Sequence, residues 1–173
     1  MILLQKQVEW DHFFMKIALE EAKKAFKKQE VPVGAVLVKE NTILSVTHNQ
    51  VEELQDAMAH AEILCLKEGS RLLNNWRLLG TTLYVTLEPC SMCLGAILLS
   101  RVTRIVWGAR DKRHGACGSW VNLLEVKHPT HSVEVEAEVM EEECSLLLKE
   151  FFKLRRIENS EKKRSCSELR GIV

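Results

Sequence analysis

The chain has 173 residues, 46% hydrophobic and 28% charged, and its 24 basic and 24 acidic residues cancel. That length and balance predict one globular domain with a packed core and exclude a disordered or fibrous chain. They also exclude a uniformly basic nucleic-acid binder and leave room for a local basic patch only.

Helical periodicity opens the chain, and Asp11 is placed to cap a helix running to about Lys28, with Met15, Leu19, Ala22 and Phe26 on one side. "VPVGAVLVKE" predicts a strand, and "NTILSVTHN" its hairpin partner across Lys39-Glu40-Asn41. A helix follows from about Ala59 to Glu68, with Gly69 to stop it. "TTLYVTLE" is a β-branched strand that Pro89 ends, and "SMCLGAILLS" is a helix. "RVTRIVWGA" is a strand and "DKRHGACGS" a glycine-containing loop. A short turn or helix covers Trp120 to Leu124, and "HSVEVEAEV" alternates as a half-exposed strand. Glu141 to about Ile157 forms the last helix. Helices alternating with strands predict an α/β fold, a mixed sheet covered on both faces. "NSEKKRSCSELRGIV" loses the apolar period, so we expect a domain at 1–158 and a charged, flexible tail at 159–173. No run reaches the roughly 18 apolar residues of a membrane span. The N-terminal apolar stretch is too short for a secretory signal, and we expect a cytoplasmic protein.

Six cysteines, at 65, 90, 93, 117, 144 and 166, would then lie in a reducing compartment, where close spacing suggests metal or catalysis before disulfides. In "LEPCSMCLGA", Cys90 and Cys93 share one side of a helix's first turn. A helix N-terminus favours thiolates, and two at this spacing make half a tetrahedral zinc site. Alone, the pair also reads as ordinary core cysteines or a redox pair. In "AHAEIL", His60 stands at the start of another helix and supplies a third ligand. Three protein ligands leave the fourth zinc position open, the mark of a catalytic site in which water becomes a nucleophile near neutral pH. Glu62, two residues from His60, reaches past the helix start to the same point and moves the proton; otherwise it is a surface carboxylate.

His-x-Glu, a strand and Pro-Cys-x-x-Cys together resemble the signature of the zinc nucleobase deaminases. "EVPVGAVLV", "AHAEI", "TLYVTLEPCSMCLGAI", "SRVTRIVWGARDKRHGACGS" and "ECSLLLKEFFKLRR" are similar to the bacterial tRNA-specific adenosine deaminase family, from Glu30 to about Arg156. The resemblance implies a cytidine-deaminase-like three-layer α/β/α sandwich with a five-stranded sheet, a homodimer, one Zn2+ per chain, and conversion of the wobble adenosine of a tRNA anticodon to inosine. It implies His60, Cys90 and Cys93 as ligands, Glu62 as proton shuttle and Asn49 as a contact of the flipped nucleoside. Asp111 and its loop "ARDKRHG" would lie near substrate and RNA. Phe151, Phe152, Arg155 and Arg156 of "FFKLRR" would touch the anticodon stem-loop. Asp56-Ala57-Met58, where many members carry Asp-Pro, and Ser45-Val46-Thr47-His48 before Asn49, where a glycine is common, depart from the family at the pocket rim.

Two rivals share parts of this pattern. A free-base deaminase acting on guanine or cytosine has the same zinc site but no use for a basic, aromatic helix end. An RNA-binding module with a structural zinc would need a fourth ligand. Cys65 and Cys117 are the candidates, and Cys65 is the one expected to pack into the core.

Overall fold

The computed structural model describes residues 2–126 and 128–170, with side chains for 5–126 and 128–162. Five strands form one sheet in the order β2-β1-β3-β4-β5: β1 (Gly34–Lys39), β2 (Thr42–His48), β3 (Thr81–Leu87), β4 (Arg104–Ala109) and β5 (Glu134–Glu136). β1 runs antiparallel to β2 and β3, whereas β3, β4 and β5 are mutually parallel neighbours. The five helices are α1 (Ile2–Lys27), α2 (Val51–Leu54), α3 (Ala61–Leu72), α4 (Ser91–Leu99) and α5 (Glu141–Arg170). None is long and apolar enough to cross a membrane among the described residues.

Strand alternation builds the layers. Ala35, Leu37, Leu83, Val85, Ile105 and Trp107 face α3 and α4 in one core. Val36, Val38, Tyr84, Val106 and Ala109 face the other, built with Phe14, Met15, Ala18 and Leu19 of α1 and Cys144 of α5. The central strands are buried on both faces, which is why they read as nearly unbroken apolar runs. This is the mixed, doubly covered five-stranded sheet expected from the element order.

Four boundaries differ from the sequence reading. Asp11 caps no helix: α1 begins at Ile2, and Asp11 lies within it, buried under the sheet. Both guanidinium nitrogens of Arg104 donate to it at 2.7 Å, Tyr84 Oη at 2.9 Å and Gln7 at 3.0 Å. Tertiary partners have overridden a local capping preference. Gly69 does not stop α3 but sits inside it; a Cβ there would lie 2.3 Å from Leu37 Cδ2, so the glycine lets helix and strand approach. The stretch after Trp120 forms turns, one of the two forms expected there, closed by an isolated Cys117–Asn122 bridge. β5 is three exposed residues at the sheet edge, shorter than the alternating pattern, and its glutamates are the charges that discourage further pairing. The last helix also outruns its expected end at Ile157: 159–170 continues α5, and 171–173 lies outside the described residues.

Candidate active site

The strand directions place the site. β2, β3 and β4 all point their carboxyl ends to one edge of the sheet, and Asn49, Glu88–Cys90 and Arg110–Asp111 follow those ends directly. Open α/β sheets gather ligands at such an edge.

His60 and Cys90 are the N-cap residues of α3 and α4, both in extended conformation (φ −69°, ψ 150° and φ −72°, ψ 172°). An N-cap side chain ordinarily accepts a hydrogen bond from the helix's first N–H groups. Neither does so here, and both turn toward each other across the gap between the helices. His60 Nδ1 lies 3.7 Å from Cys90 Sγ and 3.5 Å from Cys93 Sγ. Zinc bonds of about 2.3 Å to sulfur and 2.0–2.1 Å to nitrogen, at tetrahedral angles, separate S from N by about 3.5 Å. The spacing therefore fits a zinc ion, and the donor set is the soft N/S set that zinc takes. His60 is half-buried and Cys93 fully buried, which limits competition from water. The hydrogen bond from Cys93 holds the Cys90 thiol down to about 4, with His60 adding to the effect and burial opposing it. The same contact and burial push Cys93 up. Sharing with Cys90 holds His60 above its ordinary value.

The cluster is a group of three: among the described residues no fourth Cys, His, Asp or Glu joins it. Cys65 Sγ is buried between α3 and β2, 3.1 Å from Ser45 Oγ, and burial pushes its thiol to about 12. Cys117 is likewise pushed to about 12 by burial and stays outside the cluster. A closed structural zinc site thus has no fourth ligand among the described residues, and one coordination position remains for a reactant.

Glu62, 4% exposed, sits in the first turn of α3 in hydrogen-bond reach of Cys93. Because His60 precedes the helix proper, the two side chains converge, although a spacing of two within a helix would separate them. Burial holds the Glu62 carboxyl above its ordinary range.

Residues 8–109 match the family described as the cytidine and deoxycytidylate deaminase zinc-binding region. The tRNA-specific adenosine deaminase of Bacillus subtilis is 47% identical over 91% of this chain and 98% of its own length. The chain belongs to the tRNA-specific adenosine deaminase family of zinc-binding deaminases. The chloroplastic tRNA(adenine(34)) deaminase of Arabidopsis thaliana is 49% identical over 84% of this chain, which spans only 12% of that longer protein. A solved structure from studies of A-to-I editing by tRNA:A34 deaminases superposes with a TM-score of 0.76 at 40% identity, covering 79% of this chain and 99% of that one.

The remaining residues singled out by the family resemblance fall into two groups. Asn49 is buried next to the metal-binding segment: its N–H donates to Val33 O, and the N–H of Gln50 bonds Ala59 O, just before His60. Asp111 begins the loop after β4, on the other side of β3 from Asn49 in the strand order, and its Oδ1 accepts the N–H groups of Arg113 and His114. Lys112 and Arg113 of that loop are exposed and make no ion pair among the described residues. On α5 the aromatic pair divides. Phe151 is buried against Phe26 of α1, ring centroids 5.6 Å apart, so the expected RNA contact is a packing residue instead. Phe152 is 43% exposed, and Arg156 is exposed as well. Arg155 pairs with Glu158 at 3.1 Å and reaches Gln29 at 3.5 Å, which brings the basic end of α5 beside the segment before β1.

The departures at the rim have structural work. Thr47 Oγ1 donates to Ala61 O at 2.7 Å and Ser45 Oγ to Cys65 O at 2.8 Å, stitching β2 to α3. Asp56 Oδ1 accepts the N–H of Met58, shaping the turn into His60.

Two of the buried carboxylates that sequence reasoning missed adjoin the site. Glu30 accepts Asn49 Nδ2 at 3.0 Å and the N–H of Glu53 at 2.7 Å, which fixes the asparagine amide. Glu88 is 2% exposed and gathers donors from the loop after β4. The available signal was a glutamate abutting an apolar strand, in "QEVPVG" and "VTLEPC", where solvent is not the natural partner.

Proposed function

We propose that this protein hydrolyses the wobble adenosine of a tRNA anticodon to inosine and ammonia. The observation that carries the chemistry is the open three-donor cluster with the buried Glu62 carboxyl against it. The choice of a tRNA substrate is supported by relatives of that activity spanning nearly the whole chain.

His60, Cys90 and Cys93 would hold the zinc, which when bound supplies Lewis acidity and a nucleophilic water at neutral pH. Glu62 takes one proton from the attacking water and delivers it to ring nitrogen N1, then carries the remaining hydroxyl proton to the departing amine, so that C6 becomes a carbonyl, N1 keeps its hydrogen and ammonia leaves. Burial raises its proton affinity, so it can hold each proton between uptake and delivery. Asn49, with its amide anchored by Glu30, contacts the flipped nucleoside from the side opposite Asp111. Phosphates of the anticodon stem-loop meet Lys112 and Arg113, with Arg155, Arg156 and the exposed Phe152 further out, contacts suited to a single-stranded loop.

We further infer a homodimer and a cytoplasmic location. α4 has no charged residue, yet Leu99 is 64% exposed and nothing lies within 4 Å of a Cβ built on Gly95, leaving an apolar face that a second copy would cover. Cys65, Cys90, Cys93, Cys117 and Cys144 are all free thiols, as a reducing compartment maintains.

The test incubates zinc-loaded protein with anticodon stem-loops bearing a wobble adenosine, alongside free adenosine, guanine and cytosine. Inosine in the stem-loop only is the expected result. Turnover of a free base with the stem-loop untouched would replace this reading by a free-base deaminase.

A further inference from the structure

The chemistry described so far uses the metal-binding helix starts, Glu62 and Asn49. It leaves unexplained why a carboxylate should be buried at Glu88, two residues before Cys90. Four donors converge on it, all from one loop. Its Oε2 accepts the N–H of Asp111 at 3.1 Å and the Ser119 hydroxyl; its Oε1 accepts the N–H of Cys117 at 3.0 Å and that of Ser119 at 3.2 Å. Burying a carboxylate is costly unless it is hydrogen-bonded, and this one is saturated by backbone and hydroxyl donors.

The loop that surrounds it is fitted to that carboxylate. A Cβ on Gly115 would lie 2.5 Å from Glu88 Cδ, 2.5 Å from Glu88 Oε2 and 2.5 Å from Asp111 O, so only glycine lets the loop close over the group. The loop is also stitched to the metal-binding segment itself. Ala116 N–H donates to Pro89 O at 2.9 Å, and Gly115 forms a bridge with Cys90. The loop therefore has its position defined relative to α4's first turn, and Glu88 is the hub of that relation.

We propose that Glu88 is a positioning residue for the reaction: its buried carboxylate holds the 111–119 loop as the wall of the pocket facing the substrate, at a fixed distance from the metal-binding helix start. It touches no reacting atom and acts through Asp111, Cys117 and Ser119. The inference deepens the proposed tRNA reading and rests on it for the identity of the substrate. The geometry of the clamp does not depend on which base is deaminated.

The experiment uses the full, zinc-loaded chain and two variants. Glu88→Gln keeps the shape of the side chain but turns one acceptor into a donor that faces N–H groups. Ser119→Ala removes only the hydroxyl contact, at a half-buried position. Metal analysis, thermal melting, amide hydrogen exchange and stem-loop kinetics are read on each. In Glu88→Gln we expect one zinc per chain, and exchange at the Asp111, Cys117 and Ser119 amides accelerated at least roughly tenfold while β3 and α3 stay protected. KM for the stem-loop should rise about tenfold with kcat within about threefold, because a displaced wall weakens ground state and transition state alike. Ser119→Ala should move exchange and KM in the same direction by a smaller factor. Wild-type exchange and KM in Glu88→Gln would overturn the proposal. So would activity loss in both variants that tracks lost zinc or a collapsed melt, since that is a merely structural role. If the wild type deaminates a free base instead, the tRNA reading fails, and the same exchange pattern with a KM split on that base still decides for or against Glu88.

Discussion

Replacing Glu62 by glutamine separates what this side chain does for catalysis from what it does for the fold. Glutamine has the same shape, so no cavity opens in a site where the side chain is 4% exposed. What is lost is the ability to take and return a proton. General acid–base catalysis contributes about 100- to 10,000-fold, which is roughly 3–5 kcal/mol of barrier. The fold should respond the other way. Burial raises the Glu62 carboxyl's proton affinity, so the folded state prefers it uncharged and is penalised wherever it ionises. A neutral amide removes that penalty, and the melting temperature should hold or rise. Single-turnover deamination of a stem-loop, with zinc content and a thermal melt on the same sample, reads all three quantities. A rate within tenfold of wild type at full zinc would mean that another group moves the proton. A rate loss accompanied by zinc loss would mean that Glu62 supports the metal site instead.

Cys93→Ala should lose the metal and lower stability together, because the third donor and the buried first turn of α4 are one structure; metal analysis showing full zinc would refute that ligand set. Asp11→Ala removes the buried partner of Arg104 and should cost about 3–5 kcal/mol, a melting shift on the order of 10 °C for a chain of this size. The same pair predicts acid sensitivity. Burial alone would raise Asp11, but hydrogen bonds from Arg104, Gln7 and Tyr84 and the Arg104 charge hold it below its ordinary 3.8. Its contribution is therefore complete above that ordinary value and is lost as pH falls through the lower folded one; a pH-stability profile of Asp11→Ala parallel to wild type below pH 4 would refute it. Arg155→Ala with Arg156→Ala should weaken stem-loop binding and flatten its salt dependence while zinc stays bound, and an unchanged salt slope would show that these cations are only solvated charge.

How much of this was legible in the sequence depends on whether the signal was local. The strands and the hairpin turn at Glu40-Asn41 were legible, because alternation and turn chemistry are local, and both residues take positive φ (49° and 59°) as a two-residue hairpin demands. The three metal donors were legible because each sits at a helix start that its own neighbours define. Asp11 was misread because its partners, Tyr84 and Arg104, are distant in sequence and nothing near it announces them. Gly69 was misread because a helix-stopping glycine and one that lets Leu37 approach look the same in one dimension. Phe151 and Phe152 are adjacent, and only the position of Phe26 decides that the first is core. Glu30 and Glu88 escaped because a carboxylate beside an apolar strand is unusual, but its partner set is assembled by loops that return from elsewhere in the chain.

Those two carboxylates show how the fold fixes the segments around the site at the end of a sheet that is otherwise packed on both faces. A purine flipped from an RNA loop needs polar edges presented in fixed directions and a wall that does not collapse. Apolar packing alone gives neither, because it is non-directional. Glu30 and Glu88 stand on either side of the His60, Cys90 and Cys93 cluster, one before β1 and one after β3, and each gathers donors from a segment with little packing of its own. Glu62 is also a buried glutamate, and it differs from these two in one respect. The other two accept hydrogen bonds from main-chain N–H groups of other segments, whereas Glu62 faces the cluster and remains free to exchange a proton. These three buried carboxyls, Glu30, Glu62 and Glu88, thus have separate duties. Two are saturated by protein donors and give shape, and the one left facing the metal donors is the one that chemistry can use.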